Sequence, residues 1–242
     1  MVAVVTGASR GIGKACALKL AENGYDIAVN YASNDKAAQE VCDQITQMGR
    51  KAIICKADTS DTSAVKAMFR TVVKELGGVD VLVNNAGIVD DKYLLMLTDD
   101  SLNKSLSINI AGYFHCAQQA LLKMMKKKSG VIINVSSVSS VVAIPGQTVY
   151  SATKGAVNSF TATLAKEAAQ FGVRVNAVAP GFIATDMMDH IPQEQKEEYL
   201  KVIPMGKFGT TEDVANLVCE LCSDKLSYIT GQTIILDGGL SL

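Results

Sequence analysis

The sequence predicts an α/β fold, and two patterns in it carry that expectation. Short runs rich in β-branched residues recur seven times along the 242 residues, and segments of helical period separate them. The runs hardly alternate between apolar and polar positions, so each strand is expected to be covered on both faces. Repeated βα units imply right-handed crossovers between parallel neighbours. The architecture that satisfies both patterns is an α/β single domain built on a Rossmann-type, doubly wound, parallel seven-stranded sheet with helices on both faces. A hydrophobic content of 48% is enough for one large core in a chain of this length.

The first strand, VAVVT (2–6), leads into TGASRGIG (6–13) and a helix from Ile12 to Asn23. Gly7, Gly11 and Gly13 let the backbone turn tightly against a pyrophosphate while the helix offers its N-terminal amides and dipole, although a merely tight turn would carry the same glycines. Their place after the first strand of an alternating chain favours a dinucleotide. The second strand, DIAVNY (26–31), is followed by a helix from Lys36 to Met48, and the third, AIICKAD (52–58), by one from Ser63 to Leu76. Asp58 at the third tail accepts a hydrogen bond from an adenine amino group or caps the next helix, and one carboxylate can do both. The fourth strand, VDVLVNN (79–85), runs into NNAG (84–87). Small and amide residues there can hold the strand end beside a cofactor, as an ordinary turn also would.

The uncharged stretch from Ser105 to Leu122 contains Asn109, His115, Gln118 and Gln119. Those groups would be costly in lipid, so the stretch reads as a buried helix and not as a membrane span. Lys126, Lys127 and Lys128 after it read as a solvated helix end that complements the dipole. The fifth strand, GVIINVSS (130–137), precedes VYSATKGAVNSF (149–160), where Tyr150 and Lys154 stand one helical turn apart. The sixth strand, VRVNAVAP (173–180), a helix from Thr211 to Ser223, and the seventh strand, TIILDGG (233–239), complete the pattern, while residues 185–210 interrupt its rhythm. Ligands of such folds bind beyond the carboxyl ends of the strands, so these tails are where chemistry is expected.

A net charge of −1 excludes an electrostatic attraction to nucleic acid or to an anionic membrane surface. The passage from the first Met straight into a strand implies a cytoplasmic chain without a leader. Six cysteines, Cys16, Cys42, Cys55, Cys116, Cys219 and Cys222, are scattered through the expected helices and strands and read as reduced, packed thiols. CELC (219–222) offers two ligands with no second pair at a matching distance, so no metal is expected.

TGASRGIG, NNAG, Asn109, Ser137, YSATK and the Pro-Gly at 180–181 follow the order and spacing of the short-chain dehydrogenases/reductases, which the sequence resembles over its whole length. Within that family it is most similar to the 3-oxoacyl-(acyl-carrier-protein) reductases, most visibly at NAVAPGFIATDM (176–187) and YITGQTIILDGG (228–239). The resemblance implies that Asn109, Ser137, Tyr150 and Lys154 are catalytic. It implies a dinucleotide held by Gly7, Ser9, Arg10, Gly11, Ile12 and Gly13 in the first turn, by Tyr31 and Ser33 after the second strand, and by Asp58 and Thr59 after the third. Asn85, Ala86 and Gly87, Pro180, Gly181, Ile183 and Thr185, and again Tyr150 and Lys154 complete that set. The stretch from about 185 to 210 becomes a flap over the substrate, with Met187, Met188 and Ile191 against an acyl chain and His190 as an exposed loop residue.

The chemistry of the helical pair fits these roles. A free tyrosine loses its proton near pH 10, too high for efficient acid or base work at neutrality. An ammonium about 4 Å away is worth on the order of 4 kcal/mol at an effective dielectric near 20, or roughly three pK units before desolvation subtracts from it. Lys154 is therefore expected to pull the Tyr150 phenol toward the working range from the same helix face. Tyr150 then protonates a carbonyl oxygen that Ser137 holds; family spacing selects Ser137 over Ser136, Ser139 and Ser140. Asn109 holds a water that resupplies the proton through Lys154, or is simply a satisfied buried amide.

Tyr31 stands where NAD-using enzymes of this type carry an acid, and Arg10 can pair with a phosphate, so NADPH is the expected cofactor. Ser33, where many carrier-protein reductases have arginine, and Asp35 nearby keep NADH open. The resemblance implies a 3-oxoacyl thioester substrate on acyl carrier protein or CoA. It also implies a homotetramer, formed through helices from about Asn103 and from Val149 and through the last strand with DGGLSL. Carrier-protein docking in the family uses basic residues at two helix ends; Lys128 matches one, and Phe171 occupies the other. Two other readings stay open: a short-chain dehydrogenase for a steroid, sugar or polyketide ketone, and a dinucleotide sensor or scaffold, which would have no use for an intact proton-transfer set.

Overall fold

All seven expected strands form in the computed structural model, which describes residues 1–185 and 192–242. In chain order the strands are β1 (Val2–Val5), β2 (Asp26–Tyr31), β3 (Ala52–Lys56), β4 (Val81–Asn84), β5 (Gly130–Val135), β6 (Val173–Pro180), β7 (Ile183–Ala184), β8 (Gly209–Thr210) and β9 (Thr233–Leu236). The main sheet runs β3-β2-β1-β4-β5-β6-β9 with every pairing parallel, and β7 and β8 form a separate parallel ribbon. Strand order reverses between β1 and β4, where Ala3 faces Val81 and Val5 faces Val83 across the ladder. The crevice beyond those two strand ends is where such a sheet takes a ligand.

Most strands end before the apolar runs do: β1 stops at Val5, β3 at Lys56, β4 at Asn84, β5 at Val135 and β9 at Leu236. The physical reason is that the tail residues spend their polar groups on loops. Thr6 Oγ1 accepts from Asn85 N and Ala86 N at 2.9 and 3.0 Å, and Ser136 Oγ donates to Lys154 O at 3.1 Å.

Alternate residues of β1 serve opposite cores, as strand geometry requires. Ala3 and Val5 pack with Leu20, Ile45 and Val218 beneath α1 (Gly11–Glu22), α2 (Asp35–Gln47) and α8 (Thr211–Cys222). Val2 and Val4 pack with Phe69, Met124 and Leu164 beneath α3 (Thr62–Leu76), α5 (Gly112–Lys127) and α6 (Thr148–Ala169). Full burial of a side chain of this size stabilises by about 1.5–3 kcal/mol, so the two layers fix the sheet from both sides.

Side chains set the helix starts. Asn34, Asp61, Thr98 and Thr210 accept first-turn amide hydrogens of α2, α3, α4 (Asp99–Leu106) and α8, and Thr210 and Asp213 bond reciprocally. Asp58 is thus not the cap of α3. Its carboxylate accepts from Ser60 N and Oγ at 2.9 and 2.7 Å within its own turn, and Asp61 stands next to the first helical residue. The helix expected from about Asn103 starts earlier, at Asp99 behind Thr98, and it is not regular. After Leu106 it passes through a π-helical turn at Ser107–Ala111, where Gly112 N reaches back to Ser107 O, and continues as α5.

The outer face of α5 and α6, expected to meet a partner subunit, carries Phe114 and Leu122, 48% and 49% exposed. The Phe114 ring lies 4.1 Å from that of Phe160. All six cysteines are free thiols, and burial pushes those of Cys16, Cys55 and Cys116 up to about 12. The flap segment contains α7 (Gln193–Val202) and β8, which pairs with β7 just before it, and the ring of Tyr199 stacks on that of Phe182 at 4.4 Å. Met187, Met188, His190 and Ile191 lie outside the described residues.

Candidate active site

The ends of β1, β2 and β4 build a cradle whose ties, among the described residues, are made by neutral groups. Gly7 and Gly11 take left-handed backbone at φ +62° and +53°. A Cβ on Gly7 would come 3.0 Å from Ala86 Cα, and one on Gly13 would collide with Gly7 O and lie 2.5 Å from Asn85 Nδ2. Only glycine permits this approach of the first turn to both α1 and the NNAG segment. Asn85 Nδ2 donates to Thr6 O at 2.9 Å and Gly7 O at 3.2 Å. Asn30 Oδ1 accepts from Gly7 N at 3.2 Å while its Nδ2 donates to Cys55 O and Ala57 O at 3.1 and 3.0 Å. One buried amide therefore ties the first turn to the tail of β3. Sequence reasoning passed over Thr6 and Asn30; the available signal was a polar residue inside an apolar strand.

The cradle fits a dinucleotide. The first turn of α1 has neither a side-chain cap nor an acidic residue, so its amides lack an anionic partner that a phosphate would supply. Ser9 and Ile12 are half-buried there, and Arg10 is exposed beside them. Thr185, just after β7, lies with its Cγ2 3.9 Å from where a Cβ on Gly11 would stand, so the start of the flap borders the turn. Gly181 follows Pro180 and donates to Leu236 O at 2.9 Å; a Cβ there would come 2.7 Å from Asp237 Cβ. Ile183 is buried behind it.

At the β2 and β3 tails, Ser33 is exposed and Tyr31 is buried. The Tyr31 phenol hydrogen-bonds Asp35, and Lys56 pairs with the same carboxylate at 3.1 Å, which together hold Asp35 below the usual carboxylate range. Thr59 is buried, and its carbonyl is bonded by His115 Nδ1 at 3.0 Å, which links the β3 tail to α5.

The four residues with expected catalytic roles gather beyond β5. Ser137 hydrogen-bonds the Tyr150 phenol, and Ser139 donates to Ser137 Oγ from both its N and its Oγ, at 3.2 and 2.9 Å. Lys154 is 3% exposed, with Nζ 2.7 Å from Val135 O, 3.1 Å from the Tyr113 hydroxyl and 5.7 Å from the centroid of the Tyr150 ring. Asn109 is fully buried: Oδ1 accepts from Ile88 N at 2.8 Å, and Nδ2 donates to Ile88 O at 2.9 Å and Thr153 Oγ1 at 3.3 Å. A Cβ on Gly87 would come 3.3 Å from Asn109 Oδ1 and 3.8 Å from Lys154 Nζ, so the fourth strand tail runs alongside both.

One expectation needs correction. Lys154 does not bring the Tyr150 phenol down: burial pushes Tyr150 up to about 12, against which the Ser137 bond pulls only partway. The same burial brings Lys154 down to about 7, so near neutrality the amine is poised between charge states and its donors go to Val135 and Tyr113. Desolvation wins over charge pairing. The Asn109 side chain is bonded within the protein, its Oδ1 accepting from Ile88 N and its Nδ2 donating to Ile88 O and Thr153 Oγ1.

A family model described as enoyl-(acyl carrier protein) reductase matches residues 7–241. The chain is 47% identical over 238 residues to the 3-oxoacyl-(acyl-carrier-protein) reductase FabG of Staphylococcus aureus strain Mu50, covering 98% of this chain and 97% of that one. It is 45% identical to the 3-oxoacyl-(acyl-carrier-protein) reductase of a Synechocystis species, over 99% of this chain and 96% of that one. Among solved structures, acetoin dehydrogenase YohF from Salmonella typhimurium superposes with a TM-score of 0.90 at 38% identity, covering 99% and 95% of the two chains. A 7α-hydroxysteroid dehydrogenase solved with NADH and 7-oxo glycochenodeoxycholic acid superposes with a TM-score of 0.95 at 31% identity, covering 98% and 93%. The parallel sheet, the glycine cradle at its switch point and these near full-length matches lead to one conclusion: the chain belongs to the short-chain dehydrogenase/reductase family.

Proposed function

We propose that the chain reduces 3-oxoacyl thioesters, on acyl carrier protein or CoA, to 3-hydroxyacyl thioesters with NADPH. The observation that carries this is the meeting of Tyr150, Ser137 and Lys154 beside the Gly7–Gly13 cradle, together with 47% identity to a 3-oxoacyl-(acyl-carrier-protein) reductase over nearly the whole chain. When bound, the reduced nicotinamide supplies the electron pair that the carbonyl carbon takes up.

The chain's own residues do the rest. Gly7, Gly11 and Gly13 admit the pyrophosphate, the first amides of α1 bond it, and Arg10 meets a 2′-phosphate. Ser137 donates to the carbonyl oxygen and steadies its growing charge. Tyr150 stays protonated at neutral pH because burial holds its pKa at about 12, which suits reduction: an alkoxide is a stronger base than a phenolate, so the phenol proton moves downhill. Lys154 directs its remaining donor hydrogen at the bound ribose, and Asn109 fixes the Gly87–Ile88 segment beside it. The flap from about 185 to 210 covers the acyl chain. The enzyme acts in the cytoplasm as a homotetramer, with Phe114 and Leu122 on one contact face; no described helix is long and apolar enough to cross a membrane.

A second substrate reading has its own support. Phe171, at one of the two helix ends where carrier-protein binding calls for a base, is half-buried and packs on the α3/α5/α6 core, while Lys128 at the other end is exposed. A free ketone or CoA ester needs neither. Following nicotinamide absorbance with NADPH and NADH against acetoacetyl carrier protein, acetoacetyl-CoA, acetoin and a hydroxysteroid decides between them. Faster turnover of a free ketone than of either thioester would overturn the reading.

A further inference from the structure

We propose that Tyr113 is a positioning residue for Lys154, a second phenol that holds the lysine ammonium and sets its aim from the α5 side. The proposal rests on Lys154 belonging to the active site. Tyr113 is 2% exposed, and its hydroxyl donates to Val135 O at 2.8 Å. That bond turns the phenol proton toward the strand and leaves an oxygen lone pair to accept from Lys154 Nζ at 3.1 Å. Lys154 also donates to Val135 O, at 2.7 Å, so the three polar atoms close a triangle.

The Tyr113 ring adds to this, with its centroid 5.1 Å from Nζ, and the Tyr150 ring centroid lies 5.7 Å from the same atom. Among the described residues no carboxylate pairs with Lys154. The titratable groups around the triangle are Tyr113 and Cys116 on α5 and Tyr150 on α6, with Asp91 on the β4–α4 connection acting on Tyr150. Neutral Asn109 stands on the π turn, and Gly87 contributes only backbone. A cation buried here is therefore kept by a carbonyl, a phenol oxygen and two ring faces.

Val135 O has no proton to pass on, so Tyr113 ends a chain of bonds and relays nothing. An ammonium has three donor hydrogens, and two are fixed on the α5 and β5 sides. The third is left for a bound hydroxyl, and Tyr113 determines where it points.

The test begins without ligand. With ¹³C-labelled lysine and Lys154→Met to assign the signal, NMR titration compares the parent protein with Tyr113→Phe and Tyr113→Met. The Phe variant is expected to titrate Lys154 about one pH unit lower, as loss of one hydrogen bond to a charged group implies. The Met variant, lacking the ring as well, shifts further the same way. In the Phe variant the alkaline limb of kcat/KM moves down with the lysine. A Lys154 titration that stays at the parent value in both variants overturns the proposal. If instead the shift appears while no ketone is reduced, Tyr113 keeps its role and the proposed reaction fails. Should Tyr113→Phe not fold, the Met variant carries the same comparison.

Discussion

The cradle at the β1–β4 switch point and the cluster beyond β5 solve opposite problems with similar residue types. In the cradle every tie is neutral and already made: Asn30, Thr6 and Asn85 bond backbone groups, and the glycines only make room. In the cluster a lysine is buried beside two phenols with no carboxylate paired to it among the described residues, and burial moves Lys154 and Tyr150 in opposite directions. The first region is therefore shaped before a ligand arrives and is sensitive to volume. The second keeps a free donor and an unsettled charge, and it is sensitive to pH.

Tyr150→Phe should separate the two regions most sharply. Turnover is expected to fall by about 10³-fold, the usual range for a lost general acid, while dinucleotide affinity measured by fluorescence stays near the parent value. A variant that still turns over would remove the phenol from the mechanism. In the cradle, Gly13→Ala forces a methyl group against Gly7 O and Asn85, so it should lower stability by about 1–3 kcal/mol in urea melts and weaken dinucleotide binding. Gly24→Ala is the control: it carries the strain of a positive φ, which Gly13 does not have, but nothing lies within 4 Å of the new methyl, and it should leave binding alone.

Lys154→Met tests the charge directly. The native amine gives up its proton near 7, whereas an ordinary lysine keeps it to 10.5, so between those values the unfolded chain binds the extra proton. Parent stability must then rise with pH across that window, and below it the buried charge opposes folding in full. The Met variant should melt several degrees above the parent at pH 7, with the gap closing toward pH 10. A pH-independent gap would mean that the amine is not depressed. The smallest effect is expected from Arg10→Ala, an exposed side chain: about a tenfold rise in KM for NADPH, little change for NADH, and a difference that fades with salt. Equal losses with both would remove the phosphate contact.

What could be read from the sequence follows the same division. Gly7, Gly11 and Gly13 were legible because steric demands leave a residue type behind, and the seven apolar runs named every main strand. Asn30 was hidden because a single amide in DIAVNY looks like an ordinary strand residue until its three backbone partners converge. Spacing placed Tyr150 and Lys154 on one face correctly, yet it could not say where a flexible lysine sends its amine. Its main acceptor is the backbone carbonyl of Val135, which no side-chain pattern announces, and Tyr113 reads as one more core aromatic. Of the two readings open for Asp58, the cap of α3 fails because two acids stand within one turn, and Asp61 is the one with its carboxylate at the first amides.

The widened turn at Ser107–Ala111 has a consequence for how this protein can vary. One surplus residue in a helix rotates everything after it by about 100° relative to what comes before. Excising a single residue there would leave composition and helix content almost untouched, yet swing Tyr113 off the lysine and bring the neighbouring Phe114 inward. The proposed catalytic centre is thus keyed to a count of residues as much as to their kind, and a lineage that lost that count would have to rebuild the α5 side of the centre from different side chains.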